Sequence, residues 1–154
     1  MNTSTPDILV VGGAGYIGSH VVKALRDAGR QPVVFDNLST GLRENLFPEI
    51  PFIHGDLLIP EQVRAAMRGI RSVIHLAALK AAGDSMLEPE RYALHNLNGT
   101  VNLLHAAGTA GVRHFVFSSS AAVYGEPQYL PLDENPPTEP ANFYGQTKLQ
   151  IEML

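Results

Sequence analysis

The sequence contains no cysteine among its 154 residues. This absence excludes disulfides, thiolate zinc sites and a thiol nucleophile, and it is compatible with the reducing cytoplasm, which we expect as the compartment. No apolar run approaches the roughly 20 residues of a membrane span, so we expect no membrane partner. The 11 basic and 15 acidic residues include no basic cluster, which argues against a nucleic-acid partner.

The sequence also lacks histidines at the spacing typical of metal ligands. The six histidines are scattered along the chain, with no cluster at the spacing that zinc sites use. His75 lies within an apolar run, where a packed core histidine is more common than a ligand. We therefore expect no metal site, and we expect His75 to belong to the core.

Five short apolar runs are rich in β-branched or aromatic residues: Ile8–Val11, Pro32–Phe35, Pro51–His54, Ser72–Leu76 and His114–Phe117. Each run is apolar through its length, which is typical of strands buried on both faces of a parallel sheet. The segments between them show helical spacing, so the chain predicts successive βαβ units. We expect an α/β fold built on a doubly wound parallel sheet.

Three intervening segments carry apolar residues that should face this sheet as helical stripes. The stripes are Ile17, Val21, Leu25 and Ala28; Val63, Ala66 and Met67; and Leu97, Val101, Leu104 and Ala107. A last helix should begin near Ala141. Five prolines between Gly125 and Pro140 exclude a continuous helix or a central strand there, so a functional loop is expected.

A glycine-rich segment, Gly12-Gly13-Ala14-Gly15-Tyr16-Ile17-Gly18, follows the first strand and opens the first helix. Glycines at this spacing permit a tight turn and a close approach to a pyrophosphate, and the helix N-terminus adds N–H groups and a positive dipole end. The pattern alone is weak, but a strand before it and a helix after it strengthen it. It predicts a dinucleotide site formed by Gly12, Gly15, Tyr16, Ile17 and Gly18.

An acidic residue at the end of the second strand supports the same site. Asp36 follows Gly18 by 18 residues, close to the roughly 20 that the pattern expects. Its carboxylate would accept hydrogen bonds from ribose hydroxyls and repel a 2′-phosphate, so the expected cofactor is NAD rather than NADP. The alternative is a strand-end aspartate that only caps a turn.

Two further segments follow strands at the same edge of the sheet. Asp56 and Leu57 come after the third strand, where Asp56 could hold the adenine amino group or cap the helix beginning near Pro60. The sequence does not choose between these roles. Ala77 and Ala78 come after the fourth strand, and their small side chains would let a cofactor lie against the backbone.

The residues Tyr144 and Lys148 form a Y-x-x-x-K pattern, which places both side chains on one helix face. A lysine cation and a positively charged nicotinamide would both favour the phenolate, so Tyr144 could act as a base. Ser118–Ser120 leave the fifth strand at its C-terminal end, where doubly wound folds carry their chemistry. A hydroxyl there, assigned to Ser120, could bridge a substrate and Tyr144. A chance pair on a helix surface is the alternative if the pattern stood alone.

Taken together, the glycine-rich turn, Asp36, the serine triplet and the Tyr144/Lys148 pair resemble the extended short-chain dehydrogenase/reductases. That resemblance implies an N-terminal NAD-binding Rossmann domain and a smaller C-terminal domain for a nucleotide sugar. It runs from Ile8 to Leu154. We therefore expect residues 1–154 to be an incomplete Rossmann domain, truncated after the fifth strand and the Y-x-x-x-K helix, with the C-terminal domain absent.

Within that family the chain most resembles the UDP-galactose 4-epimerase branch. The matching segments are Asp36–Gly41, Leu79–Ser85 and Asn96–Thr100. Ala121 and Ala122 stand where the 4,6-dehydratases of the family carry an Asp-Glu pair, which argues against that branch. The resemblance adds four residues to the expected cofactor contacts, beside Tyr144 and Lys148: Asn37, Ser39, Lys80 and Asn96.

The function implied by this resemblance is NAD-dependent 4-epimerisation of a UDP-hexose through a 4-keto intermediate. Tyr144 would be the base, with Ser120 and Lys148 as the other catalytic residues. A UDP-sugar is the expected substrate and a homodimer the expected assembly. The alternatives are a non-catalytic NAD-binding or sensor module and another nucleotide-sugar epimerase of the family. Residues 1–154 alone are expected to be inactive, because poor positioning of a sugar costs orders of magnitude in rate.

Overall fold

The structure of the protein is a computed structural model that describes residues 6–154. Its five strands are β1 Ile8–Val11, β2 Pro32–Asp36, β3 Phe52–His54, β4 Ser72–His75 and β5 His114–Phe117. They form one parallel sheet in the order β3-β2-β1-β4-β5. The predicted α/β class and the five predicted strands are confirmed. The order reverses between β1 and β4, and sheets of this type bind ligands beyond the strand ends at such a point.

The described residues contain six α-helices: α1 Tyr16–Asp27, α2 Pro60–Ala66, α3 Ala82–Leu87, α4 Pro89–Tyr92, α5 Gly99–Ala110 and α6 Phe143–Glu152. A π-helical segment, Ala93–Asn98, leads into α5. The 3-10 turns span Arg43–Asn45 and Ala121–Tyr124. The proline-rich stretch between Gly125 and Pro140 forms neither helix nor strand, as predicted.

The chain forms two compact units, which are described in turn. The first unit comprises the described residues up to Ala77 together with Asn102–Ser118, and it contains the sheet, α1 and α2. The second unit comprises Ala78–Val101 and Ser119–Leu154, and it contains α3, α4, the π-helical segment and α6.

The core of the first unit lies on both faces of the sheet. One cluster packs side chains of β1, β2 and β4 against α2 and α5, with Phe35 and Leu103 among its largest fully buried members. The other cluster centres on Val10, Val22 and Val34 and faces α1. Because neighbouring strand residues alternate between these two cores, the strands are apolar throughout, which is the pattern that the sequence shows. His75 is 1% exposed, so the prediction of a core histidine is confirmed.

The predicted apolar stripe of α1 is wrong at both ends. Ile17 is 59% exposed and Ala28 is exposed, whereas Gly18 and Val22 are buried. The cause is the glycine: α1 lies so close to the β1 turn at Gly18 that a side chain would not fit there. Hydrophobic periodicity could not identify this face, because glycine contributes nothing to it.

The stripe predicted for α5 is also partly wrong, whereas the α2 stripe of Val63, Ala66 and Met67 is confirmed. Val101 is 47% exposed, while the polar residues Asn96 and Thr100 are buried. Their side chains are buried because they form hydrogen bonds, among them one from the Thr100 hydroxyl to the Asn96 carbonyl at 2.6 Å. A prediction of the buried helix face from apolar residues alone therefore misses these two buried polar positions.

Among residues 6–154 no helix has the length and apolar character needed to cross a membrane. Within the same range, no three histidine, aspartate or glutamate side chains converge in a way that could hold a metal ion.

Candidate functional site

The glycine-rich turn of the first unit packs closely against neighbouring backbone, both that of Ala77 after β4 and that of the first turns of α1. Gly12 has a φ of 82°, a left-handed conformation that favours glycine. A Cβ atom at Gly12 would lie 2.6 Å from the backbone nitrogen of Ala77, and one at Gly18 would collide with the carbonyl oxygen of Gly12. The turn therefore leaves no room for side chains on its inner side, as a cradle for a large ligand requires.

Beyond this turn, α1 begins with an N-terminus that no side chain caps. Its N-cap residue is Gly15, which offers no side-chain acceptor to the first-turn N–H groups. The next two side chains, Tyr16 and Ile17, are 76% and 59% exposed. Free first-turn N–H groups and the positive end of the helix dipole can receive a phosphate oxygen.

Asp36 ends β2 and holds this turn from the side. The residue is 8% exposed. Its Oδ2 accepts the N–H of Ala14 at 3.0 Å, and its Oδ1 accepts the N–H of Leu38 at 2.8 Å. The bond to Leu38 is the turn-capping role considered for this residue, but Ala14 lies 22 positions away in the glycine-rich turn. Each carboxylate oxygen keeps a lone pair that could accept a hydroxyl hydrogen.

The loops after β2 and β3 are joined through Asn37 and Asp56. Nδ2 of Asn37 donates to Oδ2 of Asp56 at 3.0 Å, and Oδ1 of Asn37 accepts the N–H of Ser39 at 3.0 Å. Oδ1 of Asp56 accepts the N–H of Leu58 at 2.9 Å. The alternative that Asp56 caps the next helix is wrong, because Ile59 is the N-cap of α2 and forms no side-chain cap bond.

Two asparagines that sequence reasoning missed fix the backbone of this region. Nδ2 of Asn45 donates to the carbonyl oxygen of Ala14 at 2.8 Å. Nδ2 of Asn102 donates to the carbonyl oxygen of Leu57 at 2.9 Å. The peptide groups of Ala14 are thus bonded on both sides, since its N–H reaches Asp36. No motif marks these asparagines, because their role depends on contacts distant in sequence.

In the second unit, Tyr144 and Lys148 lie on one face of α6. Nζ of Lys148 is 5.9 Å from the centroid of the Tyr144 ring, which is within reach of a cation–π interaction. Lys148 is 3% exposed, and its burial lowers its pKa from 10.5 to about 8. Burial disfavours the charged ammonium, so this cation is held at a cost in free energy.

The turn that carries Ser120 packs against α6. Ser120 is the N-cap of the 3-10 turn, and its Oγ accepts the N–H of Ala122 at 3.1 Å. Its own O–H can therefore still donate to a ligand. A Cβ atom at Gly145 would lie 2.5 Å from the carbonyl oxygen of Ala122, so only glycine permits this approach next to Tyr144. Ser119 donates a short hydrogen bond to the Glu152 carboxylate at the other end of α6.

Gly145 is a residue of the candidate site that the sequence signalled but that we missed. A glycine inside a predicted helix costs stability relative to alanine, so its presence there indicates a close approach. The first turn of α6 also begins later than predicted, at Phe143 rather than near Ala141. The side chain of Asn142 caps it by accepting the N–H of Gly145 at 2.8 Å, and this capping places the helix start.

Asn96, an expected cofactor contact, is 2% exposed and bonded within the second unit. Its Nδ2 donates to the Leu79 carbonyl at 3.0 Å and to Oγ1 of Thr147 at 3.1 Å. Its Oδ1 accepts the N–H of Leu79 at 2.9 Å. The segment from Ala78 to Lys80, half-buried at first and exposed at Lys80, is thereby fixed next to the residues of α6. A bond from Asn96 to a cofactor would use the second lone pair of Oδ1.

Comparison with known proteins places these features in a family. A model of the NAD dependent epimerase/dehydratase family matches residues 8–154. The UDP-glucose 4-epimerase of Streptomyces lividans is 46% identical over 149 residues, a match covering 95% of this chain and 45% of that protein.

Solved structures give the same result. The UDP-glucose 4-epimerase of Brucella ovis in complex with NAD superposes with a TM-score of 0.93 at 41% identity, covering 97% of this chain and 46% of that one. The Thermotoga maritima UDP-glucose 4-epimerase with UDP-glucose superposes at 0.91 with 37% identity, covering 96% and 49%. The chain spans less than half the length of these proteins.

The match begins at the first residue of β1 and includes the glycine-rich turn, Asp36, the Ser120 turn and the Tyr144/Lys148 pair. The family expected from those motifs is thus confirmed, together with the Rossmann-type parallel sheet. The chain belongs to the NAD dependent epimerase/dehydratase family.

Proposed function

We propose that this chain is the NAD-binding, catalytic-pair part of a nucleotide-sugar 4-epimerase. The observation that carries the proposal is the arrangement on α6: Lys148 lies over the Tyr144 ring, and Gly145 lets the Ser120 turn pack against the same helix. A phenol, an ammonium and a hydroxyl are thus gathered in one unit. The names of the similar proteins favour epimerisation among the reactions of the family.

The proposed cofactor is NAD, the cofactor in the name of the family. The residues fit a dinucleotide: the turn at Gly12 and Gly18 has no space for a Cβ, and the N-terminus of α1 has no side-chain cap. We assign the pyrophosphate to Gly15, Tyr16 and Ile17, and the adenosine ribose to Asp36. The other proposed contacts are Asn37, Ser39, Asp56, Leu57, Ala77, Ala78, Lys80, Asn96, Tyr144 and Lys148.

The chemistry follows from what each side chain can do. When bound, NAD supplies a site that takes a hydride from the sugar C4 and returns it to the other face. Tyr144 accepts the proton of the sugar 4-hydroxyl, and the Lys148 cation lies over the face of its ring. Ser120 shares this proton by bridging the two groups: its oxygen accepts from the sugar 4-hydroxyl, and its own hydrogen is donated to the Tyr144 oxygen.

The proposed substrate is a UDP-hexose, of the glucose and galactose pair, since the similar structures include one solved with UDP-glucose. We propose that residues 1–154 act as the NAD-binding domain and that contacts to the UDP-sugar require further residues. Turnover is accordingly proposed for a longer protein, not for residues 1–154 alone. The homodimer and the cytoplasmic compartment stay predictions.

The test is a chimera in which residues 1–154 replace the matching N-terminal segment of the Streptomyces lividans UDP-glucose 4-epimerase. We expect the chimera to interconvert UDP-galactose and UDP-glucose in a coupled assay. A chimera that folds and binds NAD without turnover would instead support the alternative of a non-catalytic NAD-binding module. Turnover of another UDP-sugar pair only would point to a different epimerase of the family.

A further inference from the structure

The segment Leu79–Ser85 resembles the epimerase branch, yet the proposed function uses only its first residues. Ser85, at its end, is completely buried in α3. Its hydroxyl donates to the Ala82 carbonyl at 2.6 Å and accepts the backbone N–H of Tyr144 at 3.0 Å. A serine hydroxyl that both donates and accepts in a buried place has a fixed orientation.

The bond to Tyr144 differs from the other bonds at the start of α6. The N–H groups of Gly145 and Gln146 are accepted by Asn142, the helix's own cap residue. The N–H of Tyr144 instead donates to Ser85 of α3, a residue 59 positions away in sequence. Phe143 donates to the Met86 sulfur at 3.3 Å, but sulfur is a weak acceptor and Met86 is 61% exposed.

We propose that Ser85 is the positioning residue of the base: its hydroxyl fixes the backbone of Tyr144 so that the phenol keeps a constant place in the second unit. The Tyr144 carbonyl is held as well, because Oγ1 of Thr147 donates to it at 2.7 Å. With both of its peptide groups bonded, the Tyr144 backbone has little freedom to shift, and displacement of a catalytic group by about 1 Å can cost a hundredfold in rate.

This inference rests on the proposed function only in treating Tyr144 as the catalytic base. The hydrogen bond between Ser85 and Tyr144 can be tested without any measurement of catalysis. The variant is Ser85→Ala, which removes the acceptor and leaves the backbone N–H of Tyr144 without this partner. The matched control is Ile70→Val in the core of the first unit, where loss of one methylene destabilises a protein by about 0.5–1.5 kcal/mol without touching Tyr144.

The first readout is amide hydrogen exchange of the 154-residue chain, measured by NMR. We expect the Tyr144 amide to exchange at least about tenfold faster in Ser85→Ala, while the Gly145 amide, held by Asn142, stays within about twofold. Ile70→Val should change both amides alike. Equal change at Tyr144 and Gly145 in Ser85→Ala, or none at Tyr144, would overturn the proposal.

The second readout is the rate of the chimera. A positioning role predicts that Ser85→Ala lowers kcat by about 10- to 100-fold with KM within about threefold, whereas Ile70→Val keeps kcat. The pH–rate profile should keep its shape, because Ser85 does not titrate. An unchanged kcat in Ser85→Ala would contradict the role. If the unsubstituted chimera has no activity, the proposed function fails, and the exchange readout still decides the role of Ser85.

Discussion

The ammonium of Lys148 lies 5.9 Å from the centre of the Tyr144 ring, four residues earlier on α6, and its residue is 3% exposed. The Lys148 ammonium therefore lies next to the phenol ring in the protein interior and is shielded from water. Its burial lowers its pKa to about 8, so it remains mostly charged at neutral pH. Burying a cation in this way costs folding free energy.

That cost gives a pH dependence with a definite sign. The unfolded lysine releases its proton near 10.5 and the folded one near 8, so between these values the unfolded state binds more protons. The contribution of Lys148 to the free energy of unfolding therefore rises with pH from about 8 to 10.5, by up to about 3 kcal/mol. The measurement is urea unfolding of the unsubstituted protein and of Lys148→Met at pH 7 and at pH 10. We expect Lys148→Met to raise the free energy of unfolding more at pH 7 than at pH 10, because the buried lysine is mostly charged at pH 7.

The control for this measurement is Lys23→Met, because the Lys23 side chain is 55% exposed and bonds Asp27 on the surface of α1. It should change stability by less than about 1 kcal/mol at either pH. If Lys148→Met stabilises no more at pH 7 than at pH 10, the buried-cation account is contradicted.

Gly145 is expected to resist substitution even though alanine is the better helix former. In Gly145→Ala the new Cβ would meet the Ala122 carbonyl at 2.5 Å, so we expect a loss of about 1–3 kcal/mol in stability. The matched variant is Gly108→Ala in α5, where a Cβ meets nothing within 4 Å and should stabilise by about 0.5–1 kcal/mol. Thermal unfolding compares the two. Similar effects of both substitutions would refute the close approach of α6 to the Ser120 turn.

Asp36 is expected to set the choice between NAD and NADP. Titration calorimetry of the chimera should show tighter binding of NAD, since a 2′-phosphate would face a carboxylate that is 8% exposed. Asp36→Ala removes that repulsion together with the hydrogen bonds to Ala14 and Leu38. We expect the variant to bind NAD less tightly and to show a smaller ratio of the affinity for NAD to the affinity for NADP. Equal or tighter binding of NADP by the unsubstituted protein would overturn the assignment.

Asn45 is expected to support cofactor binding without touching the cofactor. Its bond to the Ala14 carbonyl holds the glycine-rich turn, and loss of one such bond costs about 1 kcal/mol, or roughly fivefold in the Kd for NAD. Asn45→Ala is compared with Asn135→Ala, which removes an exposed amide bond to Asp133 in the proline-rich loop. Should both variants bind NAD as the unsubstituted protein does, the glycine-rich turn does not depend on Asn45.

The sheet could be predicted from sequence because burial on both faces makes its strands uniformly apolar. Each predicted strand lies within one residue of the observed bounds, as at β2, which extends to Asp36. The glycine-rich turn was identifiable for a related reason, since backbone approach at Gly12 and Gly18 demands glycine at fixed spacing.

The helix faces and the supporting contacts were harder to predict. The buried positions include Gly18 on α1, Asn96 in the π-helical segment and Thr100 on α5, and none of them carries a hydrophobic signal. The bond from Tyr144 to Ser85 joins residues 59 positions apart, and no local pattern encodes such a pair. The motifs of the sequence therefore indicated the candidate site residues, and the structure identified the side chains that hydrogen-bond to their backbone.

The most direct test of this account is the activity of the chimera with and without the Tyr144 hydroxyl. Interconversion of UDP-galactose and UDP-glucose is measured for the chimera and for its Tyr144→Phe variant, with NAD binding measured for both. If Tyr144 is the base, the variant should bind NAD and lose about 100- to 10,000-fold in kcat. Turnover by Tyr144→Phe at a rate close to that of the unsubstituted chimera would contradict the account.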